Sequence, residues 1–165
     1  MVRVKICGVG GQGIALSGWL LGYAATIEGK YSSVHNSYGA EVRGGSVVSS
    51  IVIEDSHIDN PFVEEYNYYI ILHSIGWRHI SNKNIKPIII ADMDLAKLDI
   101  DMTYSIEWKP FDKISRKYDV PINIVALGYL SKRGIVSIDS LHKSLEARKI
   151  DTSRNIKALG IGLKL

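Results

Sequence analysis

The chain has 165 residues, 46% of them hydrophobic and 22% charged. That is one domain's worth of ordinary globular composition, and it excludes a disordered chain, a collagen-like fibre and a coiled coil. The net charge of +3 comes from 20 basic and 17 acidic residues scattered without a stripe, so nucleic acid is not an expected partner. No apolar run approaches the roughly 20 residues needed to cross a bilayer, so no membrane partner is expected either.

The start, Met1-Val2-Arg3-Val4-Lys5-Ile6, alternates apolar and charged residues, unlike the continuous apolar stretch of a secretion signal. The one cysteine, Cys7, has no internal partner for a disulfide. Together these predict a reducing, cytoplasmic setting. One cysteine is also too few to hold an iron–sulfur cluster or a zinc ion.

In chain order, Val2 to Cys7 reads as a strand, and the glycine-rich turn Gly8-Val9-Gly10-Gly11-Gln12-Gly13 follows it. A helix is expected from about Ile14 to Glu28, stopped by Gly29. Its Ala15, Gly18, Gly22 and Ala25 recur at helical spacing and would let the axis approach a sheet closely. Tyr31 to Asn36 predicts a second strand, and Ser46 to Ile53 a β-branched one. Glu54 to Asn60 reads as an acidic turn ahead of Pro61. Tyr68 to His73 and Ile88 to Ala91 read as short strands buried on both faces, and Tyr104, Ile106 and Trp108 as one more. Asn123 to Lys132 predicts a helix closed by Gly134. Ser137 is the expected N-cap of the next, with Ile138, Leu141 and Leu145 on one face. Ile156, Leu159 and Leu163 form the stripe of a terminal helix. With no repeat or linker, this order predicts a single α/β domain over residues 1–165, a sandwich built on a mainly parallel sheet with helices on both faces.

The spacing Gly8-x-Gly10-x-x-Gly13 between a strand and a helix matches a dinucleotide fingerprint. Glycines allow close backbone approach, and the helix N-terminus offers unpaired N–H groups to an anion. A positive φ is expected at Gly10, where valine would then be strained. About 20 residues on, the fingerprint needs an acid for the ribose, yet Ser32 to Ser37 contains no Asp, Glu or Arg. An anion site and a plain tight turn therefore both remain open. A second loop, Tyr38-Gly39-Ala40-Glu41-Val42-Arg43-Gly44-Gly45, sets an acid and a base between glycines. An Arg fork there suits a carboxylate or a phosphate, while the alternative is a solvated turn.

These two motifs, in this order, resemble the gamma subunit of 2-oxoacid:ferredoxin oxidoreductases. The resemblance continues through Ile58-Asp59-Asn60-Pro61, Asn123-Ile124-Val125-Ala126-Leu127-Gly128, Gly134-Ile135-Val136-Ser137 and Asn155-Ile156-Lys157-Ala158-Leu159. It covers almost the whole chain, although Lys97 to Trp108 carries no matching motif. It implies an enzyme that oxidatively decarboxylates a 2-oxoacid to an acyl-coenzyme A and reduces ferredoxin. Thiamine diphosphate and iron–sulfur clusters then belong to partner subunits, as does substrate selectivity, and this chain alone is inactive. Its implied role is to shape the complex and to contact coenzyme A through Gly8, Gly10, Gly11, Gln12, Gly13, Tyr38, Glu41, Arg43, Gly44 and Gly45. The other readings are a free-standing nucleotide-binding oxidoreductase domain and a scaffold whose loops only make an interface.

The remaining candidates are blander. His35, His57, His73, His79 and His142 have no metal-ligand spacing. Cys7 reads as a small core residue, with a thiol activated by the helix end as the alternative. Trp19, Trp77 and Trp108 read as core or interface anchors, and Tyr66, Tyr68 and Tyr69 as packed residues.

Overall fold

The structure, a computed structural model, describes residues 1–40, 45–81, 84–97 and 104–165. The strands are β1 (Val2–Val9), β2 (Tyr31–Tyr38), β3 (Ser46–Glu54), β4 (Tyr68–Ile71), β5 (Ile88–Asp92) and β6 (Ile106–Lys109). The helices are α1 (Ile14–Ile27), α2 (Phe111–Tyr118), α3 (Ile122–Lys132), α4 (Ile138–Ala147) and α5 (Ser153–Leu163), with a 3-10 helix at Ser74–His79. All strands join one sheet in the order β2-β3-β1-β4-β5-β6. The pairs β1–β4, β4–β5 and β5–β6 are parallel. The pairs β1–β3 and β2–β3 are antiparallel. The sheet is thus mainly parallel, with an antiparallel hairpin at one end.

Alternation along the strands sorts side chains into two layers. Val4, Ile6, Ile51, Ile53, Ile70 and Ile90 face the larger core, which buries residues of all five α-helices. Cys7, Val48, Tyr69, Ile71, Ile89 and Ala91 face a smaller core with Tyr66, Ala96 and Trp77. The expected helices on both faces are therefore unequal. Among the described residues, five α-helices cover one face, and the 3-10 helix and loop chain cover the other. Gly76 of the 3-10 helix lies against Cys7 and Ile71, and Trp77 Nε1 donates to the Ala96 carbonyl at 2.7 Å.

The small residues of α1 let it lie on the β2–β3 hairpin. A Cβ on Gly18 would run into Ser49 Oγ, and one on Gly22 would meet Val34 Cγ2 at 2.5 Å. The Ser137 cap forms, its Oγ accepting from the Ser140 N–H at 3.1 Å. Two elements were not legible in the sequence, α2 and the 3-10 helix. In α2 only Phe111 and Ile114 are buried, too few for a recognisable stripe. Its first turn is capped from outside, by Asp92 Oδ2 accepting from the Asp112 N–H at 2.7 Å. In α5 the expected stripe is shifted. Ile156 is 41% exposed, and Ala158, Leu159 and Gly162 face the core instead.

Ser49 Oγ is buried and makes no hydrogen bond. Gly18→Ala should therefore lower unfolding stability by about 1–3 kcal/mol through overpacking. Adding Ser49→Ala should return most of that loss, because it removes the clashing atom without breaking a bond. Urea denaturation of the two variants checks this.

Candidate functional site

β1 and β4 are adjacent and parallel, and the chain leaves them in opposite directions across the sheet, through α1 to the β2–β3 hairpin and through the 3-10 helix to β5 and β6. The crevice beyond the carboxyl ends of such a strand pair is where open α/β sheets bind ligands. The glycine-rich turn sits there. Gln12 spans the split: its Oε1 accepts from the Val9 N–H at 2.9 Å, and its Nε2 donates to the Leu72 carbonyl at 3.1 Å. Its amide is thus a brace between β1 and the end of β4.

The second glycine-rich bend lies beside the first. The Gly10 N–H donates to the Gly45 carbonyl at 3.1 Å, and the Gly39 N–H donates to the Ser46 carbonyl at 2.7 Å. Both bonds extend strand ladders, since Val9 pairs with Ser46 and Tyr38 with Val47. Gly8 and Gly45 are buried, and Gly10, Gly11 and Tyr38 are exposed. Glu41, Arg43 and Gly44 lie outside the described residues.

Backbone strain sits elsewhere than expected. Positive φ occurs at Gly11 (90°) and Gly13 (72°) and not at Gly10, where an added Cβ would meet nothing within 4 Å. Gly10 is a ladder residue, and the sharp bends come after it. Gly13 is the N-cap of α1 in left-handed conformation, with no side-chain cap and no acidic residue in the first turn. Beneath it is Asn123, read from sequence as the start of a helix and part of the family-like stretch but not as a residue of the site. Its Nδ2 donates to the Gly13 carbonyl and to Ser17 Oγ, both at 3.1 Å. Among the described residues, the N–H groups of Gly11, Gly13, Ile14, Ala15 and Leu16 have no acceptor. They form a set of donors at the positive end of the helix dipole, the arrangement that suits an anion.

Around this turn, Ser46 Oγ and His79 Nε2 lie 2.6 Å apart. Burial, then Lys5 and Arg78, hold the His79 ring below its ordinary value of 6.5. Burial pushes the Cys7 thiol up to about 12, against the pull of Lys5. The helix end therefore does not activate it, and Cys7 is a core residue. His73 Nδ1 accepts from the Ile75 N–H at 3.3 Å and starts the 3-10 helix. Among the described residues no three His, Cys, Asp or Glu side chains gather in a way that could hold a metal ion. No helix among them is long and apolar enough to cross a membrane.

Fold and site together define an α/β domain with two adjoining glycine-rich bends at the switch point of its sheet. The chain belongs to the pyruvate ferredoxin/flavodoxin oxidoreductase family, whose model matches residues 3–165. It is 36% identical to the 2-oxoglutarate synthase subunit KorC of Methanocaldococcus jannaschii, over 87% of this chain and 81% of that one. The fold is similar to the keto/oxoacid ferredoxin oxidoreductase gamma subunit of Geobacter sulfurreducens PCA, with TM-score 0.79, 24% identity, and 99% and 97% of the two chains covered. It is also similar to part of the 2-oxoglutarate:ferredoxin oxidoreductase of Magnetococcus marinus, solved with 2-oxoglutarate, coenzyme A and succinyl-CoA bound. There the TM-score is 0.85 at 18% identity, over 99% of this chain and 30% of that one.

Two outcomes test the geometry. Gly13→Ala should cost about 2–3 kcal/mol of stability, because the added Cβ meets a left-handed backbone and the Asn123 side chain. Gly10→Ala should stay within about 0.5 kcal/mol; chemical denaturation compares them. The second concerns pH. His79 is depressed in the folded chain, so the unfolded chain binds the proton more readily, and its stability contribution, present above pH 6.5, is lost as pH falls below that value. The melting temperature should therefore drop more steeply below pH 6.5 in the native chain than in His79→Gln.

Proposed function

We propose that this chain is the gamma-type subunit of a multisubunit 2-oxoacid:ferredoxin oxidoreductase, which converts a 2-oxoacid and coenzyme A to an acyl-coenzyme A and carbon dioxide and passes electrons to ferredoxin. The family match over residues 3–165 carries this reading. Iron–sulfur clusters do not fit this chain: a cluster needs several thiolates, and the single Cys7 is buried with its thiol kept neutral. They and thiamine diphosphate are assigned to partner subunits, with ferredoxin as the acceptor of the whole complex.

Coenzyme A does fit the turn, because the unpaired donors from Gly11 to Leu16 match a pyrophosphate. When bound, it supplies the thiol that takes up the acyl group. On this chain, Gln12 and Asn123 keep the turn in shape, the backbone N–H groups hold the phosphates, and Arg43 of the neighbouring bend adds a cation. The reading of a free-standing dinucleotide oxidoreductase loses support from topology. β2 runs in the same direction as β1 but lies at the sheet edge, separated from it by the antiparallel β3, so no parallel strand beside β1 follows α1 to carry a ribose-binding acid.

The test is reconstitution. The isolated chain should show no turnover, and adding it to the remaining subunits should restore 2-oxoacid-dependent ferredoxin reduction. Full activity without it would overturn the assignment. Arg43→Ala should raise the apparent KM for coenzyme A several-fold with the melting temperature unchanged. An unchanged KM would remove the second bend from the coenzyme A contact and leave the subunit role standing.

A further inference from the structure

The two edges of the sheet are built differently. β6 is four residues long and carries Glu107 and Lys109. Glu107 accepts from Tyr129 Oη at 2.7 Å and pairs with Arg133 at 3.3 Å. A short, charged strand is how proteins keep an edge from pairing with another chain. β2, at the other edge, is eight residues long, reads Tyr-Ser-Ser-Val-His-Asn-Ser-Tyr, and has no Lys, Arg, Asp, Glu or Pro. Its register fixes which backbone groups are open. The Gly39–Ser46 bond continues the β2–β3 ladder, so odd-numbered residues of β2 bond to β3. Ser32, Val34, Asn36 and Tyr38 then turn their N–H and C=O groups outward. Among the described residues these groups have no partner. Large exposed side chains flank the same edge: Tyr31 is 51%, Tyr38 66% and Phe62 69% exposed. The exposed His35 lies edge-on to Phe62, with ring centroids 5.6 Å apart.

We infer that β2 is an assembly edge that pairs antiparallel with β2 of a second copy of this chain, about a two-fold axis normal to the sheet and passing at His35. A two-fold axis of this kind keeps each face of the sheet on its own side, so outward residues meet outward residues. With the axis at His35, Ser32 bonds Tyr38 of the second copy, Val34 bonds Asn36, and the symmetric pairs repeat these. All four open residues are used, and a strand without charge meets itself without like-charge repulsion. The two His35 side chains stand opposite each other across the axis. The inference is independent of the coenzyme A reading.

Sedimentation of the full chain over a concentration series should show a monomer–dimer equilibrium. His35→Lys and His35→Glu should each weaken dimerisation about tenfold or more with melting temperatures unchanged, because each sets like charges face to face. Mixing the two variants should restore the dimer as a heterodimer. A chain that stays monomeric at every concentration overturns the proposal. So does a dimer that neither variant weakens, or one that the mixture fails to restore.

Discussion

Strand β1 is hydrogen-bonded on both sides, antiparallel to β3 and parallel to β4. This double pairing positions everything at the candidate site. On the β3 side the ladder runs one step past the strand, so the Gly10–Gly45 bond holds the two glycine bends together. On the β4 side the ladder stops, and the Gln12 amide bridges the opening between Val9 and Leu72. The turn can then leave its remaining N–H groups unpaired, because its shape is secured by other groups. Asn123 completes the scheme from the helical layer by fixing the carbonyl of the residue that starts α1. A lost hydrogen bond in a buried network of this kind costs more than its net worth, since the partner is left unsatisfied.

Much of this frame was legible in residue order. β1, α1 and β3 carry clear period-2 or small-residue patterns, and Ser137, Gly29 and Gly134 mark helix ends by local chemistry. The two glycine-rich motifs lie side by side, joined by the Gly10–Gly45 bond. What sequence could not supply were interactions between distant residues. Asp92 caps α2 from 20 residues away. Asn123 supports Gly13 from 110 residues away. His79 reaches Ser46 from 33 residues away. The strained glycine was misplaced for a related reason: Gly10 has no positive φ and bonds to Gly45 across the hairpin, and nothing in the local spacing reveals that neighbour.

The uneven layering follows from how the connections run. The helices after β6 form a continuous pack with α1, so one face is covered by a thick apolar layer. Among its described residues the link from β4 to β5 forms a 3-10 helix and loop, so the other face carries a thin layer resting on Gly76 and Trp77. That thin layer buries Cys7 and half-buries Lys5 above the Tyr66 ring, 4.1 Å from its centroid. Both groups are thereby withdrawn from chemistry just beneath the turn. The backbone dipoles at the N-terminus of α1 carry no titrating group and so keep their strength across physiological pH.

The antiparallel hairpin links this site to the sheet edge. β2 and β3 hold the second bend at one end and present an uncharged edge along one side. α1 presses on the same hairpin through Gly18 and Gly22, and its N-terminus is the donor end of the first bend. A rigid seating of α1 on β2 therefore serves two purposes at once. It fixes the helix end relative to the second bend, and it stiffens the edge strand so that its outward groups stay in register. An edge kept long and free of charge is costly for a chain that remains alone, which is why the contrast with the short, charged β6 argues for occupancy and against chance.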